Sequence, residues 1–341
     1  MSEFTAEHRS SKERSVLVTG ASGFLGKYVV EEFARHGYEV TATGRNQQAL
    51  EEITTPNVNI MAASLEELAS MKLPVDIVVH AAALSSPWGK WNDFYESNVA
   101  GTQHMVDFSE KNEVRRLVYV SSPSIYSGSQ DRFNIVESDY DPANKLNHYI
   151  QSKILAEQLL QEAHQEGHLE ELIIIRPRGL LGVGDPSMIP RLLEANEKIG
   201  IPLFNGGENV VDLTCVENVA LALRLAAESP NAHGDVYNIT NGEPRAFKTV
   251  LNDFFAAIQE TPRYRQTNIK VAYGLAAVLE KLYALSPSDA EPPLTRYTVN
   301  TLGHSQTLDI SKARQELGYE PVASLDEGIA KYAEHYRSQH E

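Results

Sequence analysis

Three glycines spaced two residues apart, in Thr19-Gly20-Ala21-Ser22-Gly23-Phe24-Leu25-Gly26, constrain this chain more than any other stretch. An apolar run, Ser15 to Thr19, precedes them. A segment of helical spacing, Lys27 to His36, follows, with Val29, Val30 and Phe33 on one face. Strand, glycine turn and helix in this order form a cradle for a dinucleotide pyrophosphate. Glycines allow the tight turn, the close approach of backbone to phosphate and the close packing of helix on strand. The helix start then offers unpaired N–H groups and a positive dipole end to the anion. A glycine loop without a ligand shares this composition, and the spacing is G-x-x-G-x-x-G rather than G-x-G-x-x-G. Its position at the first crossover from strand to helix favours the nucleotide.

The pattern repeats down the chain. Gly37 is placed to end the first helix in a left-handed cap. Strands are expected at Glu39 to Thr43, Val58 to Met61, Val75 to His80, Leu117 to Val120 and Leu172 to Ile175. Helices are expected at Leu65 to Met71, Ser97 to Asn112 and Tyr149 to Ala163. Apolar strands alternating with amphipathic helices give an α/β protein with a doubly wound parallel sheet of the Rossmann type. Beyond Pro177 the regularity fades. Helical spacing returns at Ile189 to Lys198, Tyr273 to Leu285 and Ile310 to Leu317. Asp212 to Ala227 reads as a strand entering a helix, and Val236 to Thr240 as one more sheet strand. The expected organisation is a polar leader at 1–13, a dinucleotide-binding domain of 14–178 plus 212–240, and a smaller, mostly helical C-terminal substrate lobe of 179–211 plus 241–341.

Charge and cysteine usage narrow the partners. Lys and Arg number 30 against 46 Asp and Glu, a net charge of −16. So acidic a surface repels phosphate backbones and anionic lipid, which argues against nucleic acid as a partner. A single cysteine, Cys215, forms no internal disulfide and no thiolate metal cage. It lies in an apolar run and reads as a buried, inert thiol. The histidines show no H-E-x-x-H spacing, so no metal is expected. No apolar run is long enough for a membrane span. These features point to a cytoplasmic protein without integral membrane association.

Chemistry concentrates at three places. The second expected strand ends Thr43-Gly44-Arg45 with no carboxylate to grip a ribose. Arg45 suits a 2′-phosphate, which favours NADP(H) and leaves NAD(H) as the alternative; an ordinary solvated arginine would look the same. Tyr149 and Lys153 stand four residues apart, on one helix face. A neighbouring ammonium favours phenolate, so Tyr149 can exchange a proton with an alcohol oxygen while hydride moves at the same carbon. Ser121 and Ser122 end the fifth strand, at the sheet edge where such folds bind ligands.

With TGASGFLG, HAAA (His80 to Ala83), NVAGT (Asn98 to Thr102), YVSS (Tyr119 to Ser122) and YIQSK (Tyr149 to Lys153), the chain resembles the extended short-chain dehydrogenase/reductase family. RPRGLLGVGDP (Arg176 to Pro186), VDLTCVENVA, VYNITNGEP and LDISKARQELGYEP extend the likeness over nearly the whole length. The later motifs look most like the 3β-hydroxysteroid dehydrogenase branch, which includes bacterial 2-alkyl-3-oxoalkanoate reductases. The resemblance implies Ser122, Tyr149 and Lys153 as catalytic residues. It implies dinucleotide contacts from Gly20, Ser22, Gly23, Phe24, Leu25, Gly26, Ala81, Ala82, Ala83, Asn98, Tyr149, Lys153 and Pro177. It also implies a homodimer through the helices carrying Asn98 and Tyr149. Ser122 is followed by Pro123-Ser124 where sugar-nucleotide dehydratases carry acidic residues. Val211 and Val299 stand where nucleotide-sugar epimerases place diphosphate-binding arginines, although Arg296 is close to the second position.

The expected activity is interconversion of a ketone and a secondary alcohol on an apolar small molecule, such as a 2-alkyl-3-oxoalkanoate or a 3-hydroxysteroid. Alternatives are a nucleotide-sugar epimerase that keeps NAD bound and an NADP-sensing protein without chemistry. Tyr273 to Leu285 is apolar on more than one face. It reads chiefly as a helix packed in the small lobe, with a lid or a membrane-touching surface as the alternative. Trp88 and Trp91 either cover substrate or anchor their loop.

Overall fold

The computed structural model describes residues 15–230, 232–286 and 290–340; the leader at 1–13 lies outside them. Seven parallel strands form the main sheet: β1 (Ser15–Thr19), β2 (Glu39–Gly44), β3 (Val58–Ala62), β4 (Ile77–His80), β5 (Arg116–Val120), β6 (Glu171–Pro177) and β7 (Asp235–Ile239). Their order is β7-β6-β5-β4-β1-β2-β3. The winding reverses between β1 and β4, and ligands of open α/β sheets bind beyond the strand ends at such a switch point. Every residue of β1 and β4 is buried, as strands covered on both faces should be.

Two apolar layers flank the sheet. On one side lie α1 (Phe24–Arg35), through Val29, Val30 and Phe33, and a helix at Val216–Glu228. On the other lie α2 (Gly101–Asn112), through Met105, Val106 and Phe108, and α3 (His148–Gln165), through Ala156, Leu160 and Ala163. The first helix begins at Phe24, three residues before the expected Lys27, because the glycine turn runs straight into it. Between Tyr95 and Ala100 the approach to α2 is wound as a π-helix, which the spacing alone did not announce.

A second, four-stranded sheet joins Arg245–Ala246, Val210–Val211, Gln306–Leu308 and Arg132–Ile135, so one of its strands comes from the loop between β5 and α3. Around it Leu203, Phe254, Phe255, Leu325 and Ile329 form a separate core. The helix α4 (Ile269–Leu285) packs Ala272 and Ala276 against Phe204 and Val299. Its other face leaves Val271, Leu275, Val278 and Leu282 more than half exposed. Cys215 is buried, as expected. Among the described residues no helix is long and apolar enough to cross a membrane, and no cluster could hold a metal ion.

Candidate active site

The glycine turn is built by close approach. Gly20 has φ +70°, and a Cβ there would stand 2.8 Å from the backbone of Ala82. Gly26 lies under it, where any Cβ would overlap the Gly20 carbonyl oxygen. The turn therefore rests on the Ala81-Ala82-Ala83 segment beyond β4, and both face the switch point. Ala82 N–H donates to Thr19 Oγ1 at 3.2 Å, which ties the two segments together. Gly23 precedes α1 without a side-chain cap, so the first N–H groups of this twelve-residue helix point outward. At the ends of β2 and β5, the buried Thr43 Oγ1 and Ser121 Oγ have no hydrogen-bond partner. A cradle that a Cβ would fill, an uncapped helix start and two orphaned hydroxyls fit a dinucleotide laid across this edge.

Arg45 is exposed beyond β2 and, with Ser22, Asn46, Gln47 and Gln48, lines an open cavity beside the turn. Gly44 leaves room here: a Cβ would come within 2.8 Å of Ser22 Oγ.

Tyr149 is buried on the first turn of α3, and Lys153 is 2% exposed one turn on. Asn147 caps the helix, accepting from Ile150 N–H at 2.8 Å. Burial pushes the Tyr149 phenol above its ordinary value of 10, while the Ser122 and Ser85 hydroxyls pull it back. Lys153 Nζ donates to the Tyr119 phenol oxygen at 3.1 Å and to the Val120 carbonyl at 2.9 Å, and not to Tyr149. Desolvation lowers the Lys153 pKa to about 7, against the opposing pull of Glu157. Ser122 donates to Ser124 Oγ at 2.9 Å and starts the short 3-10 turn Pro123–Tyr126.

Asn98 is fully buried and spends its side chain on positioning. It accepts from Leu84 N–H at 2.7 Å and donates to Leu84 O at 3.0 Å and Ser152 Oγ at 2.9 Å. It thereby fastens the loop after β4 to the helix between Tyr149 and Lys153. His80, also buried, sits between Thr19 Oγ1 at 2.8 Å and Thr102 Oγ1 at 3.3 Å. Desolvation and Lys153 hold its pKa down at about 3, so the ring is neutral. Pro177 ends β6 beside β7. Trp91 packs on Tyr95 and His148, with centroids 5.8 Å away in each case, the anchoring arrangement.

Several neighbours of Tyr149 had no signal in the spacing. Ser85 follows the HAAA segment, where any hydroxyl lies on the ligand-binding edge. Tyr297 comes from the far lobe, close enough to feel both Tyr149 and Arg178 and in hydrogen-bonding reach of Ser124. Arg296 is taken up by Glu280, donating to it from both backbone N–H and Nε. Val211 and Val299 are buried.

A family model described as the NAD dependent epimerase/dehydratase family matches residues 16–240. The chain is 35% identical over 327 residues to the uncharacterized protein YbjS of Escherichia coli, covering 93% of this chain and 96% of that one. It is 29% identical over 333 residues to the 2-alkyl-3-oxoalkanoate reductase of Shewanella oneidensis, covering 94% and 86%. It is 30% identical over 332 residues to the decarboxylating sterol-4-alpha-carboxylate 3-dehydrogenase of Mus musculus, covering 94% and 90%. The solved structure of MoeE5 with UDP-glucose and NAD superposes with a TM-score of 0.76 at 24% identity, over 96% of this chain and all of that one, a likeness of fold.

Proposed function

We propose, from the premise that this chain belongs to the NAD dependent epimerase/dehydratase family, that it is an oxidoreductase interconverting a ketone and a secondary alcohol on an apolar substrate. A 2-alkyl-3-oxoalkanoate is the preferred substrate class and a 3-hydroxysteroid the second. The oxoalkanoate and the sterol carboxylate in the relatives' names are both carboxylates. The observation that carries the reading is the buried Tyr149 phenol, with the Ser122 and Ser85 hydroxyls near enough to act on it, on the edge that also bears the glycine turn.

A bound nicotinamide dinucleotide would supply or accept the hydride at the reacting carbon. Gly20, Ser22, Gly23, Phe24, Leu25 and Gly26 would hold its pyrophosphate, and Ala81 to Ala83, Lys153 and Pro177 would line the rest of its path. Arg45, which has no ion pair among the described residues, supports a preference for NADP(H). In the reductive direction Tyr149 gives its proton to the developing alkoxide and Ser122 holds that oxygen in place. Asn98 keeps the Tyr149 helix in register with the loop after β4. The lobe made from 179–211 and 241–341 selects the substrate. The same reading carries a homodimer formed through α2 and α3, where Leu155 is an exposed apolar side chain. A diphosphate sugar is disfavoured by the apolar Val211 and Val299 and by the engagement of Arg296 with Glu280.

The test is steady-state oxidation of NADPH and of NADH against long-chain 2-alkyl-3-oxo acids and ketosteroids, with Tyr149→Phe beside the wild type. Tyr149-dependent turnover that favours NADPH is expected, with the variant slower by about 10²- to 10⁴-fold. Near-wild-type turnover by the variant, or bound NAD with sugar epimerisation and no net cofactor use, would overturn the reading.

A further inference from the structure

Arg178 stands immediately beyond Pro177, at the edge where β5 and β6 end side by side. Its backbone is fixed at both ends. The N–H donates to Ile239 O at 3.0 Å, and the carbonyl accepts from the Thr214 hydroxyl. Gly179 then turns the chain with φ +47°, against Leu213. The residue is 7% exposed. Among the described residues its guanidinium makes no hydrogen bond and no ion pair. The other two buried arginines each hold a carboxylate: Arg116 meets Glu171, and Arg176 meets Glu157.

A buried cation without a counter-charge is costly, and the usual remedy is an opposite charge in contact. Desolvation pushes the Arg178 pKa down, and only Tyr297 and Asp212 lie near enough to support its charge. Neither is within ion-pair distance. Asp212 is itself occupied, accepting from Leu308 N–H at 2.7 Å, and burial lifts its carboxyl to about 6. Arg178 therefore stands as an unneutralised planar fork on the ligand-binding edge.

We propose that Arg178 is the receptor for a carboxylate on the substrate, an inference that rests on the ketone–alcohol reading above. In a 3-oxo or 3-hydroxy acid one carbon separates the carboxylate from the reacting carbon. The two oxygen groups then need two receptors a short span apart on one edge. Tyr149 with Ser122 serves the reacting oxygen, and Arg178 serves the acid. Tyr297, which feels both Tyr149 and Arg178, marks the gap between them. The guanidinium fork matches two carboxylate oxygens in one plane. One free arginine suits a monoanionic acid. A diphosphate would call on the neighbouring positions as well, and those are the apolar Val211 and Val299.

The test compares oxidation of a 2-alkyl-3-hydroxyalkanoate with that of its methyl ester, using NADP⁺ and the full chain. The two share the reacting alcohol and differ in the charge. The wild type should prefer the acid in kcat/KM, through KM. Arg178→Met should collapse that preference by on the order of 100-fold, and Arg178→Lys should retain part of it. If Arg178→Met does not fold, Arg178→Lys carries the test, with a loss of preference of roughly tenfold for the missing second hydrogen bond. A wild type indifferent to the charge overturns the proposal. So does a variant that loses acid and ester turnover in equal proportion, which marks a structural role. If the wild type oxidises neither compound, the ketone–alcohol reading itself has failed, and the receptor falls with it.

Discussion

Lys153 donates its ammonium to Tyr119, at 3.1 Å from the phenol oxygen and 4.7 Å over the ring centroid, and makes no hydrogen bond to Tyr149 one turn away. Its charge is stabilised by a strand-end carbonyl and an aromatic face, and opposed by burial.

That opposition makes stability depend on pH. The ordinary lysine value is 10.5, and the folded value is about 7. Between these the folded protein has released the proton that the unfolded chain still binds, so stability rises with pH across the window. Below about 7 both states carry the proton and only the fold must bury it. Lys153→Met should therefore raise the melting temperature of the cofactor-free protein by a few degrees at pH 6, with the gain shrinking toward pH 10. Melts at pH 6, 8 and 9.5 check this, and a pH-independent difference would refute it.

Arg176 and Glu157 form a buried pair that fastens α3 to β6, one turn beyond Lys153. Glu157→Gln leaves the guanidinium uncompensated and should cost about 3–5 kcal/mol. Replacing both partners, as in Glu157→Leu with Arg176→Met, should cost less than the single change. Denaturant titration of the three proteins decides it. A double variant weaker than the single one counts against the pair as described.

The glycine turn gives a sharper contrast. Gly26→Ala places a methyl group into the Gly20 carbonyl oxygen, whereas a Cβ at Gly128 meets nothing within 4 Å. Gly26→Ala should weaken dinucleotide binding by more than about tenfold and lower stability, since the turn must shift to admit it. Gly128→Ala should stay within about 0.5 kcal/mol of wild type. Binding by fluorescence titration and a thermal melt on each variant supply the readouts, and equal behaviour of the two would refute the steric account.

Arg45 bears on cofactor choice. Arg45→Glu should reduce kcat/KM for NADPH by roughly 10- to 100-fold, the scale of a lost charge-assisted contact, and leave NADH far less affected. An unchanged NADPH/NADH ratio would remove the argument for NADP(H).

Legibility in the sequence followed locality. Strand alternation, the glycine turn and the Tyr149–Lys153 pair are encoded within a few residues, and each lies where its spacing says. Ser85, Ser124 and Tyr297 reach the surroundings of Tyr149 from three separate segments, and no periodicity links Tyr297 to a helix begun at His148. The strand Arg132–Ile135 was equally hidden: two of its four residues are exposed, and its partners lie about 170 residues on. The behaviour of Lys153 escaped for another reason. Which oxygen a buried ammonium chooses depends on the strand end packed over it, and i,i+4 spacing carries no information about that.

The late arrival of β7 has a consequence for synthesis on the ribosome. β6 is an apolar strand, buried from Leu172 to Pro177, and its outer edge is covered only when Asp235–Ile239 pairs with it. Residues 178–234 must emerge in between, which takes roughly 3–11 s at translation rates of about 5–20 residues/s. Throughout that interval the nascent chain presents an unpaired, hydrophobic strand edge, the kind of surface that recruits other chains. A chaperone that shields β6 during those seconds would raise the yield of folded protein more than one acting after release.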